Sequence, residues 1–408
     1  MTVSIDDIRA AAELLRGQIV ATPTVMSRTL SEITGARVAL KFENLQYTGS
    51  FKDRGALVKL STLSDDEKRA GIIACSAGNH AQGVAYHAGR LGVPATIVMP
   101  KATPFNKVRA VERLGAHTVL HGADLHEAAD EAHRLEAEHG LTFIHPFDDP
   151  AIIAGQGTIA LEMLAAVPDL DVLVVPIGGG GLIAGCAIAA KAVKPEIEIV
   201  GVESALYPSM YQAVNDIAST AGGPSIAEGI AVKAPGAITR PVVEALVDDL
   251  LLVAEPTLEQ AVQLLIEIEK TVAEGAGAAA LAALLAHPER FGGRDVGIIV
   301  SGGNIDSRLL ANILMRGLVR EGRLVKIRIE ISDQPGALAQ VTRIIGEQGG
   351  NIVEVFHQRM FYDVPAMLTE LDVVLETRDA NHARKILTAL EGQGYPTRLM
   401  SATESGGA

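Results

Sequence analysis

Short, continuous apolar runs alternate with segments whose apolar residues recur every three or four positions. The runs predict strands at 72–76, 95–100, 117–122, 142–147, 171–177, 197–203, 250–254 and 296–301. The segments between them, such as 104–115 and 123–139, carry charge opposite an apolar stripe and predict helices. Strands apolar on both faces and separated by helices belong to parallel sheets covered on both sides. Eight strands are many for one open sheet. Two sheets with a cleft are therefore expected, a small subdomain over roughly residues 50–140 being inserted into a larger one.

Near residue 320 the pattern changes. After the basic stretch "MRGLVREGRL", residues 325–402 read strand, helix, strand, strand, helix, strand, the ferredoxin-like βαββαβ order. The expected division is a body over 1–320, a second domain over 325–402 and a disordered tail at 403–408. The fold class is α/β.

Composition narrows the partners. With 408 residues and 48% of them hydrophobic, the chain suits a large packed body rather than a disordered one. A net charge of -14 disfavours nucleic acid, whose binding depends on Lys and Arg neutralising phosphates. The N-terminus carries early acids and lacks a signal-peptide pattern, and no apolar run reaches the length needed to span a bilayer. Cys75 and Cys186 are too few for a disulfide framework or a zinc site. The expectation is a soluble protein of a reducing compartment, the cytoplasm, with no membrane, nucleic-acid or metal partner.

Four segments carry candidate chemistry. In "DVLVVPIGGGGLIAG", a buried strand runs into Gly178, Gly179, Gly180 and Gly181, whose amides, with the positive end of the following helix, suit a phosphate. Gly179, Gly181 and Ala184 also fit the G-x-G-x-x-A spacing of a dinucleotide site, with Glu203 as its ribose acid. A merely flexible loop is the plainer alternative. In "TGSFKDRGA", Ser50 and Asp53 fit an S-x-x-D capping box of an ordinary helix. Alternatively, the helix start and Phe51 lower the pKa of Lys52, as a lysine that forms a Schiff base requires. In "CSAGNHAQG", amides of Ala77 to His80 suit a substrate carboxylate and Asn79 a phenolic or carbonyl oxygen. His80 is either a base or structural. In "VSGGNID", Ser301 offers a hydroxyl to a ring nitrogen.

Together these segments resemble the fold-type II pyridoxal phosphate enzymes, and within them the threonine dehydratase and serine dehydratase branch. The matching residues are "SFKDRGA", "SAGNHAQGVA", "MPKATPFNKV", "IAGQGTIALE", "PIGGGGLIAG", "EGAGA" and "SGGNIDSRL", in family order over roughly the first 315 residues. The C-terminal part resembles an ACT domain through "ISDQPGALAQV" and "GGNIVEV". The resemblance implies pyridoxal 5'-phosphate as cofactor and β-elimination of L-threonine, with L-serine a weaker substrate. It makes Lys52 the cofactor-bearing lysine and the acid/base at Cα. Phe51 packs on the cofactor ring, Asn79 bonds its phenolate oxygen, Gly178 to Leu182 bind its phosphate, and Ser301 faces its pyridine nitrogen. Ser76, Ala77, Gly78, Asn79 and His80 hold the substrate carboxylate.

Serine racemases of this fold carry a serine where this chain has Ala77, so elimination is expected over racemisation. Some relatives bind a divalent metal at an acidic cluster starting at the position of Glu203, but "ESALYPS" offers only that acid, and hard cations want several oxygens. In ACT domains, the turn at Asp333, Gly336, Ala337 and Leu338 and the strand start at Asn351 and Ile352 line an interfacial amino-acid site. The implied effector is isoleucine or valine, the alternative being a domain that only dimerises. A homodimer or homotetramer is implied. A nicotinamide oxidoreductase stands as the rival of a different class.

Overall fold

The computed structural model describes residues 3–358 and 367–400. The chain divides into two compact units, one ending at Asp306 and the other beginning at Ser307.

Among the described residues, the first unit contains ten strands. They are β1 Thr24–Ser27, β2 Arg37–Phe42, β3 Ile72–Cys75, β4 Ala95–Met99 and β5 His117–Leu120, followed by β6 Thr142–Phe143, β7 Val172–Pro176, β8 Glu198–Ser204, β9 Asp249–Val253 and β10 Asp295–Val300. They form two sheets, as expected, in the orders β1-β2-β10-β7-β8-β9 and β5-β4-β3-β6. Every pairing is parallel except that of the edge strand β1 with β2. β1 and β2 are additions to the expected set. The run expected as a strand over 142–147 leaves the sheet after Phe143. Ile144 still donates to Ile73 O, but Pro146 has no amide to give.

Three helices set the depth of the site. Pro150–Ala166 lies between Lys52–Ser61 and Gly181–Val193, and the contacts are made by glycines. A Cβ on Gly185 would stand 2.3 Å from Ile153 O, and one on Gly155 would stand 2.7 Å from Gly55 Cα. Backbone therefore meets backbone. The helix that begins at Lys52 and the helix that follows the glycine loop share one central support. Beside them Arg54, with no exposed surface, is held by both oxygens of the equally buried Glu43 at 2.7 and 2.8 Å and by Glu162 at 2.6 Å.

The second unit opens with the helix Ser307–Arg320. Four antiparallel strands follow, β11 Leu324–Ser332, β12 Asn351–Gln358, β13 Leu368–Glu376 and β14 Thr397–Met400, in the order β12-β13-β11-β14. Helices Ala337–Glu347 and Ala380–Gly392 complete the βαββαβ order. Ile327, Ile329 and Ile331 of β11 bury against Val341, Ile345, Ile386 and Leu390 of those helices. The intervening Lys326 and Arg328 pair with Asp372 of the neighbouring strand. This is the alternation of a sheet packed on one face. The tail at 403–408 lies outside the described residues. Among the described residues, no helix is long and apolar enough to cross a membrane.

Candidate active site

The candidate segments gather where parallel strands of the first unit end, the edge at which open α/β sheets bind ligands. Ser76 follows β3, Gly178 follows β7 and Ser301 follows β10. The Phe51 amide donates to Ser301 O at 3.0 Å, which ties the lysine segment to the last of these.

Lys52 opens its helix, and its side chain is only partly exposed, with the amine enclosed. Burial lowers its pKa to about 8, and the Glu274 carboxylate opposes the shift. The amine donates to Pro146 O at 2.7 Å and lies 5.1 Å from the centre of the Phe51 ring. The capping box is not formed. Asp53 instead accepts from the amide of Thr48 at 3.0 Å and from its hydroxyl, and Ser50 Oγ is buried with no hydrogen-bond partner among the described residues.

Asn79 begins the helix Asn79–Leu91, with Gly78 at its cap. The first amides of a helix have no partner within it, so the Ser76–His80 turn offers donors to an anion. Asn79 Nδ2 donates to Glu274 Oε1 at 2.6 Å, and Asn79 Oδ1 accepts from Asn304 Nδ2 at 2.8 Å. An amide nitrogen has two hydrogens, and this bond to Glu274 uses one. Glu274 carried no role in the sequence beyond its place in "EGAGA". It is pushed up to about 7 by burial, against the Asn79 hydrogen bond. His80 Nε2 lies 2.9 Å from Ile144 O, which can only accept, so that nitrogen carries a hydrogen. Burial, helped by Lys52, lowers its pKa to about 3. The His80 ring is thus held uncharged near neutral pH, with its Nε2 hydrogen given to Ile144 O.

In the glycine loop, Gly180 has φ 96° and caps the helix Gly181–Val193, a conformation that requires glycine. A Cβ there would also lie 2.7 Å from Met210 Cε. Leu182 continues the helix, buried. Ser301 is buried, with its hydroxyl 3.3 Å from Ala276 O. Glu203 is turned to another task. Its carboxylate accepts from the amides of Met210 and Tyr211, each at 2.8 Å, and burial raises its pKa to about 7. Both oxygens are thus committed to a local helix start, which leaves the dinucleotide assignment of that residue without support.

An enclosed lysine of lowered pKa, a side-chain-free loop at a helix start and a buried neutral hydroxyl fit pyridoxal phosphate, which needs an amine, a phosphate cradle and a partner for its ring nitrogen.

The regulatory candidates of the second unit are not brought together within one chain. Asp333 to Leu338 follow the end of β11, with Gly336 at φ 88° capping the next helix. Asn351 and Ile352 begin β12 beside Glu376 and Leu375, the residues that pair with the start of β11. The two groups therefore lie at opposite ends of the sheet. Asn351 Nδ2 donates to Glu376 Oε2 at 3.1 Å.

Residues 15–302 match the family model for pyridoxal-phosphate dependent enzymes, and residues 325–392 match that for the ACT domain. The L-threonine ammonia-lyase of Thermotoga maritima is 43% identical over 400 residues, 98% of this chain and 100% of its own. The catabolic L-threonine dehydratase of Escherichia coli strain K12 is 44% identical over 317 residues, 77% of this chain and 96% of its own. The crystal structure of serine racemase from Dictyostelium discoideum aligns with a TM-score of 0.71 at 34% identity, covering 75% of this chain and 100% of that one. With the lysine, the glycine loop and these matches in agreement, the chain belongs to the pyridoxal-phosphate-dependent enzyme family and carries an ACT domain after its family region.

Proposed function

We propose that this chain is an L-threonine ammonia-lyase, converting L-threonine to 2-oxobutanoate and ammonia by β-elimination, and L-serine more weakly. The observation that carries the proposal is the enclosed Lys52 amine, lowered to about 8 and bonded to Pro146 O, next to the Phe147 ring that lies against Gly179 of the glycine loop. At pH 7 about a tenth of such an amine is unprotonated, against roughly one part in several thousand for an ordinary lysine. That difference supports a base at neutral pH.

Pyridoxal phosphate supplies, when bound, an electron sink for the bonds broken at the amino acid's Cα and Cβ. Lys52 would carry it, Gly178 to Leu182 would hold its phosphate, Phe51 would pack on its ring and Asn79 would donate to its phenolate oxygen. Ser301 would meet the pyridine nitrogen with a neutral hydroxyl rather than a carboxylate. The amides of Ser76 to His80 would hold the substrate carboxylate. Lys52, once free, would take the Cα proton. Ala77 has no exchangeable proton for the opposite face, which favours elimination over the racemisation named in the Dictyostelium structure.

An amino-acid effector, isoleucine or valine, is proposed for the ACT unit. The placement of its two residue groups at opposite ends of one sheet favours a site completed by a second copy, and hence a homodimer or homotetramer. A cytoplasmic location accords with two free cysteines.

The test is a visible spectrum of the purified protein before and after L-threonine, with 2-oxobutanoate followed by a coupled assay. The expected result is the absorbance of lysine-bound pyridoxal phosphate and steady oxoacid release, both lost in Lys52→Ala. A colourless protein that binds a nicotinamide nucleotide would overturn the proposal.

A further inference from the structure

Residues 144–149 leave β6 without regular structure, yet nearly each of them holds part of the site. Ile144 O accepts from His80 at 2.9 Å and Pro146 O from the Lys52 amine at 2.7 Å. Asp148 accepts from the amides of Ala237 and Ile238 at 2.9 and 2.8 Å, at the approach to the helix Thr239–Leu246. Phe147 sits between these anchors. A Cβ on Gly179 would fall 2.3 Å from three carbons of its ring, and one on Gly181 would fall 2.8 Å from its carbonyl oxygen. The ring cannot retreat freely. His145 stands edge-on to it with centroids 4.7 Å apart and takes the Asp148 amide on Nδ1 at 2.7 Å.

Gly180 is the residue of the four whose φ lies in the left-handed region, so backbone conformation does not explain why residue 179 is glycine. We propose that Pro146–Phe147 is a positioning element that fixes the glycine loop relative to the Lys52 amine, and that residue 179 must be glycine because of the Phe147 ring rather than because of a bound phosphate. The inference rests on Gly178 to Leu182 being the phosphate cradle.

A double-mutant cycle on the apoprotein separates these possibilities. Gly179→Ala, Phe147→Ala and the double variant are titrated with pyridoxal phosphate and with pyridoxal, which lacks the phosphate. In the native background, Gly179→Ala is expected to weaken pyridoxal phosphate binding about tenfold or more, and in the Phe147→Ala background less than about threefold, because contacting residues couple. An equal penalty in both backgrounds would overturn the proposal, since the new methyl would then meet the ligand. Should the native protein bind pyridoxal as tightly as pyridoxal phosphate, the cradle assignment itself fails, and the proposal with it. If Gly179→Ala does not fold, Phe147→Leu decides. Weaker pyridoxal phosphate binding with pyridoxal binding unchanged supports the positioning role, and no change in either overturns it.

Discussion

Asn79 Nδ2 and Glu274 Oε1 lie 2.6 Å apart, so the amide expected to orient a ligand oxygen is itself held by a half-buried acid 195 residues away. With its pKa near 7, that acid is part-charged at neutral pH, and its charged form raises the Lys52 pKa. Glu274→Gln keeps an acceptor for Asn79 and removes the charge. The Lys52 amine should then fall below its pKa of about 8. The pH dependence of pyridoxal phosphate association with the apoprotein is expected to move to lower pH, by on the order of half to one unit. An unmoved curve would mean that Glu274 does not act on the lysine.

His80 gives the converse test. A ring held neutral down to about pH 3 contributes no limb to a rate profile between pH 5 and 8. His80→Gln should therefore lower kcat/KM for L-threonine by less than about tenfold and leave the profile's shape intact, whereas loss of a general base typically removes 10²–10⁴-fold. A lost limb in the profile would restore His80 as a base.

Much of this arrangement was legible in the chain, and the exceptions have physical causes. The eight parallel strands announce themselves as apolar runs, most clearly β3, β4, β7, β8 and β10, which are largely buried. β2 hides because Lys41 interrupts its run, and that lysine is tolerated in the core through Glu162 and the Thr22 carbonyl, each 2.6 Å from its amine and distant in sequence. β1 is a four-residue edge strand with two exposed positions. Lys52, the glycine loop and Ser301 are each readable from local motifs. Glu274 is not, because its meaning lies in a contact with Asn79 that no local pattern encodes. Pro146 and Phe147 looked like the end of a strand, since apolar content alone does not distinguish a sheet residue from one packed under a glycine loop.

The Arg54–Glu43 pair predicts how the first unit responds to acid. Burial alone would push Glu43 up, but Arg54, with smaller help from Lys41 and Thr22, holds it below its ordinary 4.5. A carboxyl depressed in the folded state contributes stability above its unfolded pKa and loses it as pH falls through the folded value. The pair should therefore add no pH dependence near neutrality and begin to fail below about pH 4.5. Arg54→Ala leaves Glu43 buried without its main partner, and a loss of about 3–5 kcal/mol is expected at pH 7. Denaturant unfolding of the apoprotein at several pH values measures both.

Two glycines separate architecture from recognition. A Cβ on Gly185 would meet Ile153 O at 2.3 Å and Gly157 N at 2.6 Å, backbone atoms that cannot swing aside, whereas one on Gly78 meets nothing within 4 Å. Gly185→Ala must push the glycine-loop helix off its support, and a stability loss of about 1–3 kcal/mol or more is expected. Gly78→Ala should change stability by less than about 0.5 kcal/mol, as a substitution without packing consequences does. Its effect belongs to the anion site at the helix start, where an added methyl crowds the amides proposed for the substrate carboxylate. KM for L-threonine should rise while the melting transition stays in place. Melting the apoprotein alongside steady-state kinetics decides the matter, since bound ligand would otherwise mask differences in stability. If KM is unchanged in Gly78→Ala, the carboxylate is held elsewhere than the Ser76–His80 turn.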